Sequence, residues 1–104
     1  MELLPKEIAA KIPKLYETES ITLPEKVAYA KFFHPALNWT WYVVEYDGSD
    51  TCFGLVVGHE TEFSYFSLQE LSQIKVGLPI ERDLYFRPNQ VRDLQAYKAK
   101  RAAA

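Results

Sequence analysis

The sequence predicts an α+β fold: an antiparallel meander of three to four strands, with short helices on one face or around its ends. Three observations carry this. Two β-rich runs, Asn38–Tyr46 and Thr51–Val57, flank the polar stretch Asp47-Gly48-Ser49-Asp50, the pattern of a hairpin. A capping box, Ser67-Leu68-Gln69-Glu70, opens a helix directly after the next β-rich run. A chain of 104 residues that is 48% hydrophobic fills one core, whereas two would each be marginal.

Taken in order, Pro5–Lys11 reads as a short helix. Pro5 suits the first helical position, Leu4, Ile8 and Ile12 recur on one face, and Pro13 stops it. Tyr16–Glu25 is a polar connection, and Val27–Phe33 alternates as a first strand. In the hairpin, a two-residue turn would set Glu45 opposite Asp50, so the four-residue loop that pairs Tyr46 with Thr51 and Val44 with Phe53 is preferred. Alternation then puts Tyr42, Val44, Tyr46, Phe53, Leu55 and Val57 on one face, read as core. The other face holds Trp39, Trp41, Val43, Glu45, Cys52, Gly54, Val56 and Gly58, either a second packing layer or an aromatic groove. Glu62–Phe66 adds a third strand. The capped helix runs to about Ile74, ended by Gly77 and Pro79; Ile80–Phe86 is a strand or extended edge, and Pro88 to about Arg101 a terminal helix. The domain is expected to span residues 1–101, with Ala102-Ala103-Ala104 a disordered or vector-derived tail.

Charge is unevenly distributed. Residues 32–74 hold six acids and no Lys or Arg, while residues 75–104 hold seven basic residues against three acids. The simplest expectation is that the acidic and basic parts of the fold face each other. A single cysteine, Cys52, permits no internal disulfide, which points to a reducing compartment. With an acid at position two and no long apolar run, the expected location is cytoplasmic, without membrane attachment.

Chemical motifs are sparse. His34, His59, Cys52, Asp47, Asp50, Glu60 and Glu62 show no metal-ligand pairing, so no metal is expected. Four glycines form no phosphate-binding loop, no nucleophile motif occurs, and no cofactor is expected. In an extended Glu81-Arg82-Asp83, the two acids share a face and Arg82 points the other way, where a bridge from Arg82 to a carboxylate of the acidic sheet is expected.

Three stretches form a recognisable set: Asn38-Trp39-Thr40-Trp41-Tyr42; Asp47-Gly48 with Asp50-Thr51 and Phe53-Gly54; and Tyr65-Phe66-Ser67-Leu68 followed by Leu78-Pro79-Ile80-Glu81-Arg82-Asp83-Leu84-Tyr85-Phe86. With the Leu3-Leu4 opening and Phe32-Phe33, they resemble the bacterial domain of unknown function 2958 family over roughly residues 1–88. Pro5 departs from the small capping hydroxyl expected there, and the basic segment from Arg92 onward falls outside the resemblance. The resemblance implies a small single-domain protein, often carried on plasmids and other mobile elements, and transfers no activity.

The expected function is a non-enzymatic protein-interaction domain of a mobile element. Its candidate partner-binding residues are Trp39, Trp41, Asp47, Asp50, Glu81, Arg82 and Asp83, an acidic, aromatic surface. Acidic neighbours argue against base stacking on the tryptophans, so nucleic-acid binding is expected to be weak or none. Two alternatives stand beside this. One is a nucleic-acid-associated accessory domain using Arg87, Arg92, Lys98, Lys100 and Arg101; the other is a small enzyme with a carboxylate site at Asp47, Asp50 or Glu81.

Overall fold

The structure, a computed structural model, describes residues 2–74 and 76–103. Its elements in chain order are helix α1 (Lys6–Ala9), a 3-10 turn (Leu23–Glu25), strands β1 (Val27–Ala28), β2 (Ala30–Phe33), β3 (Thr40–Tyr46), β4 (Thr51–Val57) and β5 (Thr61–Ser67), then helix α2 (Leu68–Ser72). There follow β6 (Glu81–Arg82), β7 (Asn89–Gln90), a second 3-10 turn (Val91–Asp93) and helix α3 (Gln95–Ala103). Five strands form an antiparallel sheet in the order β5-β4-β3-β2-β6, and β1 pairs with β7 in a separate two-stranded ribbon. This is the α+β class expected, with more strands than the meander alone. No helix among the described residues is long and apolar enough to cross a membrane.

The hairpin differs from the expected one at a single residue. From Thr40↔Val57 to Val43↔Gly54 the pairing follows the predicted register; Val44 then bulges, and Glu45 pairs with Phe53 and Tyr46 with Cys52. An extra residue in one strand reverses the side-chain alternation beyond it. Tyr46 therefore joins Trp41, Val43 and Cys52, while Glu45 turns away from them to the loop at Tyr16–Thr18. Both faces are packed, so the tryptophan face is a second layer. One cluster unites Leu3, Leu4, Ile12, Phe32, Trp41, Val43, Cys52, Leu71 and Ile80; the other unites Ala28, Tyr42, Val44, Leu55, Val91 and Leu94.

Three further expectations are corrected. Val27–Phe33 is two strands, because Val27 and Ala28 pair with Gln90 and Asn89 whereas Ala30–Phe33 pairs with β3. Residues 88–94 are not α-helical: the Val91 N–H donates to the Lys26 carbonyl at 2.8 Å and the Val91 side chain is fully buried, so pairing with β1 overrides local helix propensity. The third concerns Arg82, whose Nη1 donates to the carbonyls of Glu2 (2.9 Å) and Leu3 (3.2 Å) rather than to a carboxylate. It therefore ties the β6 edge to the start of the chain. Helix α2 is capped by Ser67 as predicted, the Glu70 N–H donating to Oγ at 3.2 Å, and ends at Ser72, slightly early. Ala102 and Ala103 belong to α3, while Ala104 and Lys75 lie outside the described residues.

Candidate functional site

Trp39 immediately precedes β3 and Trp41 is its second residue, so the two share a face, and their rings stack at 5.9 Å with a 29° interplanar angle. His59 meets Trp39 edge-on at 5.6 Å. Gly58 leaves room for this ring: a β-carbon on it would lie 2.3 Å from the Trp39 indole, which would have to shift. Trp41 is buried and Trp39 half-buried.

His34 supports these rings. It is 4% exposed, at the end of β2, where the chain turns back to β3. Its Nδ1 accepts from the N–H groups of Ala36 (3.1 Å) and Leu37 (3.0 Å), which leaves that nitrogen without a proton. Nε2 therefore carries the proton and donates to the Val76 carbonyl at 3.0 Å. One neutral imidazole thus fixes both the 34–39 turn and the segment after α2. Between them lies an open cavity of about 200 Å³ lined by His34, Leu37, Trp39, Trp41 and Ile74. Leu37, which lines it, is 43% exposed, and Val76, whose carbonyl holds His34, is 62% exposed.

The remaining candidate residues do not join this cavity. Asp47 and Asp50 lie at the far end of the hairpin, roughly 20 Å along the strand at about 3.3 Å per residue. Both carboxylates are already engaged. Asp47 Oδ1 accepts from the N–H groups of Asp50, Ser49 and Thr51, and these bonds, that from Asp50 foremost, hold its carboxyl below the usual range. Asp50 accepts from Ser67 Oγ and from the Gln69 N–H, and its own carbonyl takes the Leu68 N–H, so it locks the hairpin loop to α2. Glu81, Arg82 and Asp83 line a separate recess of about 350 Å³ at the β6 edge, where Lys31 Nζ lies 3.7 Å from Asp83 and over the Tyr42 ring.

The acidic and aromatic parts of the expected surface are therefore separate in space. The acidic middle and the basic end do not pair with each other either. The ion pairs among the described residues are Lys26–Glu45, Lys31–Asp83 and Arg92–Glu25, and none joins a base after residue 75 to an acid of residues 32–74.

Two groupings escaped sequence reasoning. The first is the cavity lining beyond the tryptophans, since nothing local in the sequence brings His34, Leu37 and Ile74 together. The second is a buried polar knot. Glu45 accepts from the N–H groups of Tyr16 (2.9 Å) and Thr18 (3.2 Å) and from the Thr18 hydroxyl, and Lys26 Nζ, 3.8 Å from Glu45, donates to Thr18 Oγ1 at 2.6 Å and to its carbonyl. It holds the otherwise irregular Lys14–Glu25 segment to the bulge.

Cys52 is fully buried, and burial, reinforced by Asp47 and Asp50, pushes its thiol up to about 12, so it stays protonated near neutrality. Among the described residues, no three His, Cys, Asp or Glu side chains converge as a metal set would require. A groove of about 690 Å³ between the first 3-10 turn and α3 gathers Thr22, Pro24, Glu25, Arg92, Tyr97, Lys98 and Arg101. There Glu25 is engaged by the Thr22 hydroxyl (2.7 Å) and by Arg92 (3.7 Å).

Residues 3–104 match the family described as Protein of unknown function (DUF2958). The match includes the segment after Arg92, which the resemblance in the sequence had left out. No curated protein and no solved structure matches the chain.

Proposed function

We propose that this chain, which belongs to the DUF2958 family of proteins of unknown function, is a protein-interaction domain that seats one apolar side chain of its partner in the Trp39–Trp41 cavity. The observation that carries this reading is a cavity of about 200 Å³ built from two stacked indoles and a neutral histidine, with the exposed Leu37 in its lining. Small-molecule pockets usually span about 300–1,000 Å³, so this one is the size of a single anchoring side chain. Anchors of this kind, in a desolvated aromatic pocket, carry a large share of interface energy. Leu37 extends the contact outward, and the exposed Val76 follows the segment that His34 holds. Within the mobile-element setting that the resemblance implies, the partner is a host or element-encoded protein.

The test uses rim variants that leave the core alone. Leu37→Asp and Val76→Asp replace exposed side chains, so each should unfold within about 0.5 kcal/mol of the wild type. Each should also lose the partner captured by the wild-type chain from the native host. Capture unchanged by both variants ends this reading.

A second reading has its own observation. Arg92, Lys98 and Arg101 converge on one groove, which is the arrangement an accessory nucleic-acid contact would use. The salt-dependent titration in the Discussion separates it from the first.

A further inference from the structure

The β5 strand is an edge of the five-stranded sheet. It runs for seven residues, Thr61–Ser67, with β4 on one side and, among the described residues, no strand on the other. The opposite edge, β6, has two residues. Long edges are normally blunted by proline, lysine or a bulge. None interrupts β5, whose single charge is Glu62. One face of the strand is aromatic and partly bare: Phe63 stacks on Phe53 at 5.8 Å, Tyr65 packs on Phe53 at 5.0 Å, and Tyr65 remains 51% exposed.

The two halves of this edge carry opposite charge. At the Thr61–Phe63 half, α3 packs beside β5, with Tyr97 and Phe63 on the same apolar cluster and Lys98, Lys100 and Arg101 exposed. At the Tyr65 half, the Tyr16 ring lies 6.4 Å from Tyr65 and brings with it the exposed Glu17 and Glu19. Glu19 is near enough to act on the Tyr65 hydroxyl, whose pKa is raised first by its bond to Tyr16, then by burial and by the nearby Tyr16, Glu45 and Glu19.

We propose that β5 is the seam of a two-fold dimer, pairing antiparallel with the β5 strand of a second copy and centred on Ser64. Keeping both packed faces continuous across the seam requires the two-fold axis to pass through a residue, because side chains alternate. Centring on Ser64 is the register that pairs all seven residues, Thr61 opposite Ser67 of the second copy and Phe63 opposite its Tyr65. Glu62 then faces Phe66 rather than another Glu62, and the bare Tyr65 ring is covered. The same axis carries each basic α3 to the acidic Glu17–Glu19 segment of the other copy, twice per dimer, as an isologous interface demands. This charge complementarity selects a second copy as the occupant. It also gives the basic terminal residues the partners they lack among the described ion pairs. The seam and the Trp39 cavity belong to different surfaces, so either can fail alone.

Sedimentation velocity on the full chain across a concentration series tests this. The expected result is a reversible dimer that Tyr65→Asp abolishes. The charge swaps Glu17→Lys/Glu19→Lys and Lys98→Glu/Lys100→Glu should each weaken it roughly tenfold, and their combination should restore it. All four swapped side chains are exposed, so monomer folding, checked by denaturant midpoint, should hold. A single-chain mass at every concentration up to about 0.1 mM overturns the proposal. A dimer indifferent to Tyr65→Asp and to both swaps overturns it equally.

Discussion

Glu45 is the residue on which the least regular part of the molecule depends. Its carboxylate is 4% exposed, takes the N–H groups of Tyr16 and Thr18, and lies beside an equally buried Lys26. Tyr16 adopts φ 68°, a left-handed conformation uncommon for a non-glycine residue, and the bond from its N–H to Glu45 helps hold it there. Removing one partner of a buried pair leaves the other uncompensated, so Glu45→Ala should cost about 3–5 kcal/mol in a denaturant melt. Glu45→Gln keeps an acceptor but not the charge and should fall between. Arg82 is structural in a different way. Its partners are the two carbonyls of Glu2 and Leu3, so Arg82→Ala should cost about 1–3 kcal/mol by releasing the start of the chain. An unchanged midpoint together with lost partner capture would make Arg82 a binding residue instead.

Among the elements, the β3–β4 hairpin supports both packed layers, and Gly54 within β4 and Gly58 just beyond it mark where the strand meets its neighbour closely. A β-carbon on Gly54 would stand 1.7 Å from the Tyr42 carbonyl oxygen, backbone that cannot yield, so Gly54→Ala should disrupt the hairpin itself. Leu55 is fully buried in the layer under α3, and Leu55→Ala or Tyr42→Ala should each cost roughly 2–5 kcal/mol. A loss below about 1 kcal/mol for both would mean that this layer is not packed. Helix α2 owes its start to two acceptors at once. The Ser67 side chain takes the Glu70 N–H, while Asp50 takes those of Leu68 and Gln69 through its carbonyl and carboxylate.

At the scale of the whole molecule, net charge hides an arrangement that matters for partners. The formal charge is −2, yet the groove beside α3 keeps Lys98 and Arg101 next to an Arg92 already paired with Glu25. At most three cations meet a phosphate backbone there. Single-stranded DNA should therefore bind weakly, its affinity falling with salt at a log–log slope of roughly 2 and vanishing near physiological salt. Titrating labelled single- and double-stranded DNA at two salt concentrations checks this. Tight binding that survives the higher salt would favour the nucleic-acid reading over partner docking.

The α+β class, the strands β3, β4 and β5, the cap of α2 and the side-by-side tryptophans were legible in the sequence, because each follows from alternation, turn chemistry or capping within a few residues. Three features were decided only by the tertiary structure. The Val44 bulge exchanges the faces that Glu45 and Tyr46 occupy, since one extra residue inverts every side chain beyond it and no local signal fixes where that residue falls. The β1–β7 ribbon replaces the first turns of the expected terminal helix, because burying Val91 and pairing its N–H with Lys26 outweigh the weak preference of an isolated helix. The candidate cavity also depends on long-range contacts: Trp39 and Trp41 are adjacent by periodicity, but His34 and Ile74 reach them from either side of the sheet's central strands. Local rules set which residues could line a site, and only packing between distant segments set which of them meet.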